Sequence, residues 1–356
     1  RLQIAISLGT SALLLAVTPP LLRLGSPIGT FTVLQVANGM SQGLMNTGLH
    51  AIISSWTCSP ADKTWVHNLA YSGQSLGPIV GLAMGAVLMN HVQLGWAAVL
   101  YAYAALQFLS MLLWLALVTD QPPDCSDCCG NELESHSGHR VVPWNRILAC
   151  GPFWCCAINH FCCDYGQYTL LNWQSRWLNE TFDLNVQATA TLSALPYVLS
   201  LLVVLSSGRV WARLSHVGHI STVRLRKLGQ SIGTFIPAVA LVCLCMLPWT
   251  RGNELCAVAL VTGSYAASCF MYVGYHVNYI DIAPSFAATL YGFGTALAST
   301  SGFASSEVAG DVLGREHRSE SWRSVFFISA VVFAFAGLVF LWGASASRQS
   351  WDLECS

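Results

Sequence analysis

Five polar side chains recur along one apolar stretch at intervals of three or four residues, which place them on one side of an α-helix. They are Gln35, Asn38, Gln42, Asn46 and His50. Amides and imidazoles can hydrogen-bond a carboxylate, a sugar or a zwitterion, so this stripe predicts the wall of a solute cavity. Hydrogen bonding to a neighbouring helix, with no ligand, would explain the same stripe and stays open.

A second apolar stretch places His160, Asp164 and Gln167 on one helical face. Asp164 is the one carboxylate that the sequence puts well inside an apolar segment, and such a group typically serves an ion or a substrate. The alternative is a neutral, hydrogen-bonded acid, or a helix boundary that leaves Asp164 in water. No nucleophile–base set accompanies these residues, so we expect no enzymatic activity.

The segment Cys125-Ser-Asp-Cys128-Cys129, followed by His136 and His139, contains the residue types of a zinc site. Its spacing fits no established zinc module. We therefore expect a flexible loop that is open to cysteine acylation, and no metal or other cofactor.

The composition of the chain identifies the environment of these polar groups. The chain has 356 residues, of which 54% are hydrophobic and only 9% are charged, whereas soluble domains carry about 25% charged residues. So few charges cannot cover a surface in water, so we expect a polytopic protein whose main partner is the lipid bilayer. The net charge of −1 gives no sign of nucleic-acid binding.

Stretches with few or no charges predict ten membrane helices, because roughly 20 apolar residues cross a bilayer. Their predicted bounds are 3–22, 30–54, 68–89, 96–119, 150–174, 186–207, 228–249, 255–278, 283–305 and 324–345. The predicted fold class is therefore an all-α membrane protein. No lysine or arginine is expected deep within any of these spans.

Two polar segments, 120–146 and 208–227, are predicted to be loops. The basic residues of the second are Arg209, Arg213, Arg224, Arg226 and Lys227. Such an excess of positive charge predicts a cytosolic position. Alternation along the chain then places 175–185 on the opposite side of the membrane, where Asn179-Glu-Thr181 forms a glycosylation sequon.

One segment near the C-terminal end carries a family signature. It reads Gly274-Tyr-His-Val-Asn278-Tyr-Ile-Asp281-Ile-Ala-Pro284-Ser-Phe-Ala. This resembles the signature G-F-x-x-N-H-x-D-I-A-P-x-[YF]-A of solute carrier family 17, the sialin, vesicular glutamate and sodium–phosphate transporters of the major facilitator superfamily. Shorter similarities extend over nearly the whole chain, at His50-Ala-Ile-Ile-Ser-Ser55-Trp56, Val142-Pro-Trp144, Asn185-Val-Gln187, Leu192-Ser-Ala-Leu-Pro196-Tyr197 and Trp322-Arg-Ser-Val-Phe-Phe-Ile.

The resemblance implies a major facilitator fold of two helical bundles. About ten of the twelve membrane helices would be present, with the first two missing upstream of Arg1. The implied domains are a partial N-terminal bundle of four helices at 1–119, a cytosolic loop at 120–147, a six-helix bundle at 148–346 and a cytosolic tail at 347–356.

The same resemblance assigns a structural role to the signature. Asn278, Asp281 and Pro284 would shape a turn at the cytosolic gate. Asn278 would anchor this turn at the end of a helix, and the carboxylate of Asp281 would cap or brace the start of the next one.

The resemblance also implies a function, namely secondary active transport of small organic solutes, in particular anions, by alternating access. The coupled ion would be a proton or sodium, and the location would be a lysosomal, vesicular or plasma membrane. The chain departs from the family where charges are expected. The family pattern R-x-x-x-G-x-x-E-G reads Gln35-Val-Ala-Asn38-Gly39-Met-Ser-Gln42-Gly43, with amides at both charged positions. A transport-dead relative that acts as a membrane binding or scaffold protein is therefore the alternative.

Overall fold

The computed structural model describes residues 1–24, 26–57, 59–91, 95–119, 141–184, 186–250, 252–315 and 319–354. Within these ranges the chain is helical and contains no β-strand, which confirms the predicted fold class. The Cys125–His139 segment, for which we expect no metal site, lies outside the described residues.

Helices occupy the position of every predicted span, and most of them extend beyond at least one of the predicted bounds. They are α1 (Leu2–Leu22), α2 (Pro27–Trp56), α3 (Pro60–His91), α4 (Trp96–Leu117), α6 (Gly151–Phe182), α7 (Val186–Val217), α8 (Thr222–Met246), α9 (Glu254–Ser268), α10 (Tyr275–Ile282), α11 (Ala287–Arg315) and α12 (Ser319–Gly343). Two short helices, α5 (Trp144–Leu148) and α13 (Ser350–Glu354), complete the described set.

Six of the described segments are long and apolar enough to cross a membrane. They are Leu2–Leu22, Trp96–Leu117, Thr191–Val217, Thr222–Met246, Glu254–Ile282 and Glu320–Gly343. The other long helices, α2, α3, α6 and α11, have the length of a span but a more polar composition. Two of these four, α2 and α6, carry the predicted cavity residues.

The predicted loop at 208–227 is mostly helical, which corrects the sequence analysis. Helix α7 continues to Val217 and α8 begins at Thr222, so that only residues 218–221 connect them. The prediction ended each span at the first charged residue, whereas long basic side chains can lie along a helix and still reach a polar partner. The guanidinium of Arg209, for example, stacks 4.9 Å from the ring centre of Trp65.

The predicted outer loop at 175–185 is also largely helical, because α6 continues to Phe182. Asn179 lies exposed in the last turn of α6, and its Nδ2 donates a hydrogen bond to the carbonyl of Leu184 at 3.0 Å. The sequon is therefore accessible at a helix end rather than in a loop.

We expect Asn179 to be glycosylated in a glycosylating host, since the positive charges in the last turns of α7 and the first turns of α8 place the end of α6 opposite the cytosol. Treatment with a glycosidase should lower the mass of the protein. Asn179→Gln should abolish that change, and so should Thr181→Ala, which removes the sequon without altering Asn179. Reaction of residues 175–185 with a reagent confined to the cytosol would contradict this topology.

The described residues fall into two compact units. The smaller unit comprises Arg1–Trp56 and Val80–Leu133, and the larger comprises Thr57–Ile79 and Glu134–Ser356. Unlike the predicted domains, this grouping places the first part of α3 in the larger unit. The domain limits drawn from the sequence stay a prediction.

In the smaller unit, α1 packs against α2 and α4. Two serines join α1 to α2, since Ser7 Oγ donates to the carbonyl of Ser41 at 2.7 Å and Ser41 Oγ donates to that of Ser7 at 2.9 Å. In the larger unit, α6 packs against α11 and α12, and α8 packs against α9 and α12. Close approach there depends on Gly166, where an added Cβ would collide with the ring of Phe333.

The segment that follows α12 folds back onto the turn between α10 and α11. The Gln349 N–H donates to the carbonyl of Ile282 at 2.9 Å, and the Ser285 N–H donates to Asp352 Oδ1 at 3.2 Å. Asp352 is fully buried, and its second oxygen accepts a hydrogen bond from Arg348 Nε at 2.5 Å. This segment therefore closes the turn at which the family signature ends.

Candidate functional site

The polar stripe on α2 divides into buried and exposed members within the smaller unit. Asn38 Oδ1 accepts a hydrogen bond from Ser11 Oγ on α1 at 2.5 Å. His50 is fully buried, and its Nδ1 lies 3.3 Å from the carbonyl of Asn46. Gln35 and Gln42, in contrast, are exposed on the surface of the unit. Asn38 thus follows the helix-packing alternative, whereas Gln35 and Gln42 present amide groups at the surface.

The predicted face of α6 is present in the larger unit. His160 Nε2 lies 3.7 Å from Asp164 Oδ2, one turn apart on the helix, and the Asp164 side chain is 18% exposed. Gln167 Nε2 donates to Ser268 Oγ at 2.8 Å, at the last residue of α9. All three residues therefore belong to α6, with the amide of Gln167 bonded to α9 and the carboxylate of Asp164 beside the imidazole of His160.

A buried group of aromatic rings includes His160, and no sequence pattern indicated most of its other members. We call this group the histidine–tyrosine cluster; its members are His67, Tyr71, His160, Tyr272, Tyr275, His276, Tyr279 and Tyr291. All of these residues belong to the larger unit. His67 and Tyr71 lie one turn apart on α3, and their rings stack at 4.4 Å between centroids.

His276 lies at the centre of the cluster and is 3% exposed. Its ring centroid is 4.6 Å from that of Tyr275, 4.9 Å from Tyr272, 5.0 Å from Tyr71 and 5.2 Å from His160. In the signature segment His276 occupies a variable position, so the motif itself gave no reason to select it.

The predicted helix at 255–278 is broken within the cluster. Helix α9 ends at Ser268, a 3₁₀ turn occupies Cys269–Val273, and α10 starts after Gly274. Two side chains of α8 form hydrogen bonds with backbone groups at the break. Gln230 Oε1 accepts from the Tyr275 N–H at 3.3 Å, and Arg226 Nη1 donates to the carbonyl of Val273 at 3.4 Å. Broken helices of this kind accompany ion and substrate sites in transporters.

Arg226 is buried within the protein near the start of α8. Its side chain is fully buried, Nε donates to Asp281 Oδ2 at 2.7 Å, and Nη1 donates to Thr64 Oγ1 at 2.9 Å. The prediction started this helix at residue 228, whereas α8 starts at Thr222, so that Arg226 belongs to its second turn. A buried charge requires such pairing, because an unpaired ion in a protein interior is strongly unfavourable.

The structure also revises the roles in the signature segment. Asp281 braces the region by pairing with Arg226 rather than by capping a helix, and the carboxylate that accepts a backbone N–H after Pro284 is that of Asp352. Pro284 begins a 3₁₀ turn at Pro284–Phe286, in keeping with the predicted turn. Asn278 lies buried within α10 and donates from Nδ2 to Cys156 Sγ at 3.3 Å, so it ties α10 to α6.

Comparison with known proteins gives the family of this chain. Residues 3–310 match the family model of the Major Facilitator Superfamily. Sialin of Homo sapiens is 30% identical over 355 residues, which are 98% of this chain and 70% of that protein. The sodium-dependent phosphate transport protein 3 of Mus musculus is 25% identical over 331 residues, 90% of this chain and 68% of that protein.

A solved structure has the same fold. The crystal structure of the Major Facilitator Superfamily transporter FucP in the outward conformation superposes with a TM-score of 0.65. It covers 96% of this chain and 83% of FucP at 13% sequence identity, so the likeness concerns the fold alone. The apolar helices and these matches together make the protein an integral multi-pass membrane protein, and the chain belongs to the Major Facilitator Superfamily, in the group that includes sialin and the sodium-dependent phosphate transporters.

Proposed function

We propose that this protein moves small organic anions across a membrane by alternating access, as a secondary transporter and not as an enzyme. The observation that carries the proposal is the broken helix α9–α10, which meets a buried ionisable face on α6. The relatives named above support the anionic class of solute, since one of them is a phosphate transport protein. The membrane concerned is that of a lysosome or vesicle, or the plasma membrane.

The proposal assigns substrate contacts in each unit separately. In the smaller unit the exposed amides Gln35 and Gln42 are the first candidates. Asn38, Asn46 and His50, which are less exposed, are the further candidates. In the larger unit the candidates are His160, Asp164 and Gln167. Amide N–H groups can donate to a carboxylate or a phosphate without carrying charge themselves.

Among the described residues of the candidate site, we expect an anion to bind donors other than Arg226. Arg226 is buried, but Asp281 and Thr64 already accept hydrogen bonds from its Nε and Nη1. The amides of α2 and the imidazole of His160 are the groups that can donate to an anion instead. We therefore expect weaker selection for charge than in relatives that hold an arginine, and binding that depends on geometry.

The transport activity can be tested with the purified chain in proteoliposomes. Vesicles loaded with unlabelled solute should take up labelled solute faster than empty vesicles, since exchange needs only alternating access. The probes are inorganic phosphate, glutamate and glucuronate, with glucose as the neutral match for glucuronate. Exchange of at least one anion without exchange of glucose is the expected result. Rates equal to those of protein-free vesicles for every anion would instead favour a binding or scaffold protein.

A further inference from the structure

We infer that the ion coupled to transport is the proton and that it binds at His276, with His67 and His160 as its partners. This inference rests on the proposed transport activity. It extends the site beyond the α6 face to two histidines, one on α3 and one on α10, that no sequence pattern pointed to.

The three imidazoles form a continuous series inside the larger unit. The ring centroid of His276 is 5.2 Å from that of His160 and 5.5 Å from that of His67. All three side chains are buried, with exposures of 3% for His160 and His276 and 0% for His67. Imidazole rings at such separations can pass a proton from nitrogen to nitrogen after small rotations, because each ring both donates and accepts.

Asp164 supplies the negative end of this series. Its Oδ2 lies 3.7 Å from His160 Nε2, and its partial exposure connects the series with the surface of the unit. A proton that reaches Asp164 can therefore move to His160 and then to His276. The carboxylate also serves as a counter-charge for an imidazolium within the protein.

The tyrosine rings provide a second form of stabilisation for a transient positive charge. Tyr71, Tyr272 and Tyr275 have ring centroids within 5.0 Å of His276, and the faces of aromatic rings attract cations at such distances. Tyr291 lies 5.5 Å from His276 and accepts a hydrogen bond from the Tyr71 hydroxyl at 3.0 Å. The cluster can therefore stabilise a transient imidazolium without a fixed negative charge among its own side chains.

Within the larger unit, the ionisable side chains in ring contact with His276 are His67, Tyr71, His160, Tyr272, Tyr275 and Tyr291. Helices α6, α8 and α10 also carry the buried or partly buried charged groups Asp164, Arg226 and Asp281. The two charges of Arg226 and Asp281 offset each other in their ion pair. Asp164 is thus the carboxylate that remains to attract a proton towards the imidazoles.

This chemistry favours a proton over a sodium ion. Hard cations such as sodium prefer several oxygen ligands, typically carboxylates and backbone carbonyls. The rings of His67 and His160, which offer nitrogen and not oxygen, lie beside His276. A proton needs only one basic nitrogen and a path to it.

The experiment uses the reconstituted full chain and the anion that exchanges best. His276→Gln and His67→Gln should each keep exchange at equal pH on both sides but lose accumulation driven by a proton gradient. His219→Gln, at an exposed position between α7 and α8, is the matched control and should keep both activities. Elution of each variant as a single species from a sizing column separates loss of coupling from loss of folding.

A second measurement does not depend on transport. Mixing the purified protein with the anion in weak buffer, with a pH indicator present, should show proton uptake or release, and both histidine variants should lose that signal. Gradient-driven accumulation that survives in His276→Gln and His67→Gln would overturn the inference. So would accumulation driven by sodium and not by protons, although the proposed transport would then stand. If the wild-type chain exchanges no anion, the proposed function fails and the inference fails with it.

Discussion

Replacement of Arg226 by methionine should be among the most damaging single changes in the larger unit. The substitution removes the donor to Asp281, Thr64 and the Val273 carbonyl at once and leaves the carboxylate of Asp281 buried without its counter-ion. Breaking a buried pair in this way typically costs about 3–5 kcal/mol. A thermal-unfolding scan of the detergent-solubilised protein should therefore show a large fall in the midpoint temperature.

Two further variants make this test specific. Arg226→Met combined with Asp281→Leu removes both charges, so it should recover much of the lost stability, since an apolar replacement of a buried ion pair is often neutral. Arg224→Met changes an exposed arginine on the same helix and should alter stability by no more than about 0.5 kcal/mol. If the single and the double variant unfold at the same temperature, the pair with Asp281 is not what makes Arg226 important.

The second large effect is expected at Gly274, where the broken helix approaches α8. An added Cβ would collide with Gln230 Oε1 and would lie 3.0 Å from Gln230 Cβ and 3.1 Å from its Cα. The backbone of α8 cannot move away without disturbing its packing, and displacement of Oε1 would remove the acceptor of the Tyr275 N–H. Gly274→Ala should therefore cost about 1–3 kcal/mol and slow exchange.

Gly263 on α9 provides the control for this substitution. No atom lies within 4 Å of a Cβ built there, so Gly263→Ala should leave stability unchanged or raise it by up to about 1 kcal/mol. Thermal unfolding and the exchange assay, applied to both variants, measure the two effects. A Gly274→Ala protein as stable and as active as Gly263→Ala would show that the break tolerates a side chain.

The positions of the helices could be predicted from sequence, because an uncharged apolar stretch of about 20 residues is typical of a membrane-spanning helix. Their ends could not, since the prediction stopped at charges such as Arg226 that tertiary partners accommodate. The break between Ser268 and Gly274 could not be placed from composition, because residues Cys269–Val273 are apolar. Its cause lies in Gln230 and Arg226, which approach from another helix.

The candidate site was predictable to the extent that it follows one helix. The face formed by His160, Asp164 and Gln167 needed only the helical repeat and was found. His67 and His276 lie more than 200 residues apart in the chain and meet only in the folded structure, so no local pattern could join them. The periodicity placed the polar stripe on α2 correctly. Its members differ, however, because Asn38 bonds to α1 whereas Gln35 and Gln42 are exposed.

The segment that closes the turn after α10 has a consequence for the order of biosynthesis. Asp352 is translated 67 residues after Ser285, whose N–H it accepts, and α11 and α12 lie between them. The turn must therefore wait for both helices to enter the membrane before its backbone groups acquire their final partners. A premature stop codon between residues 344 and 348 would yield a chain with every long helix but an open turn. Such a product exposes unpaired backbone groups that cellular quality control can detect.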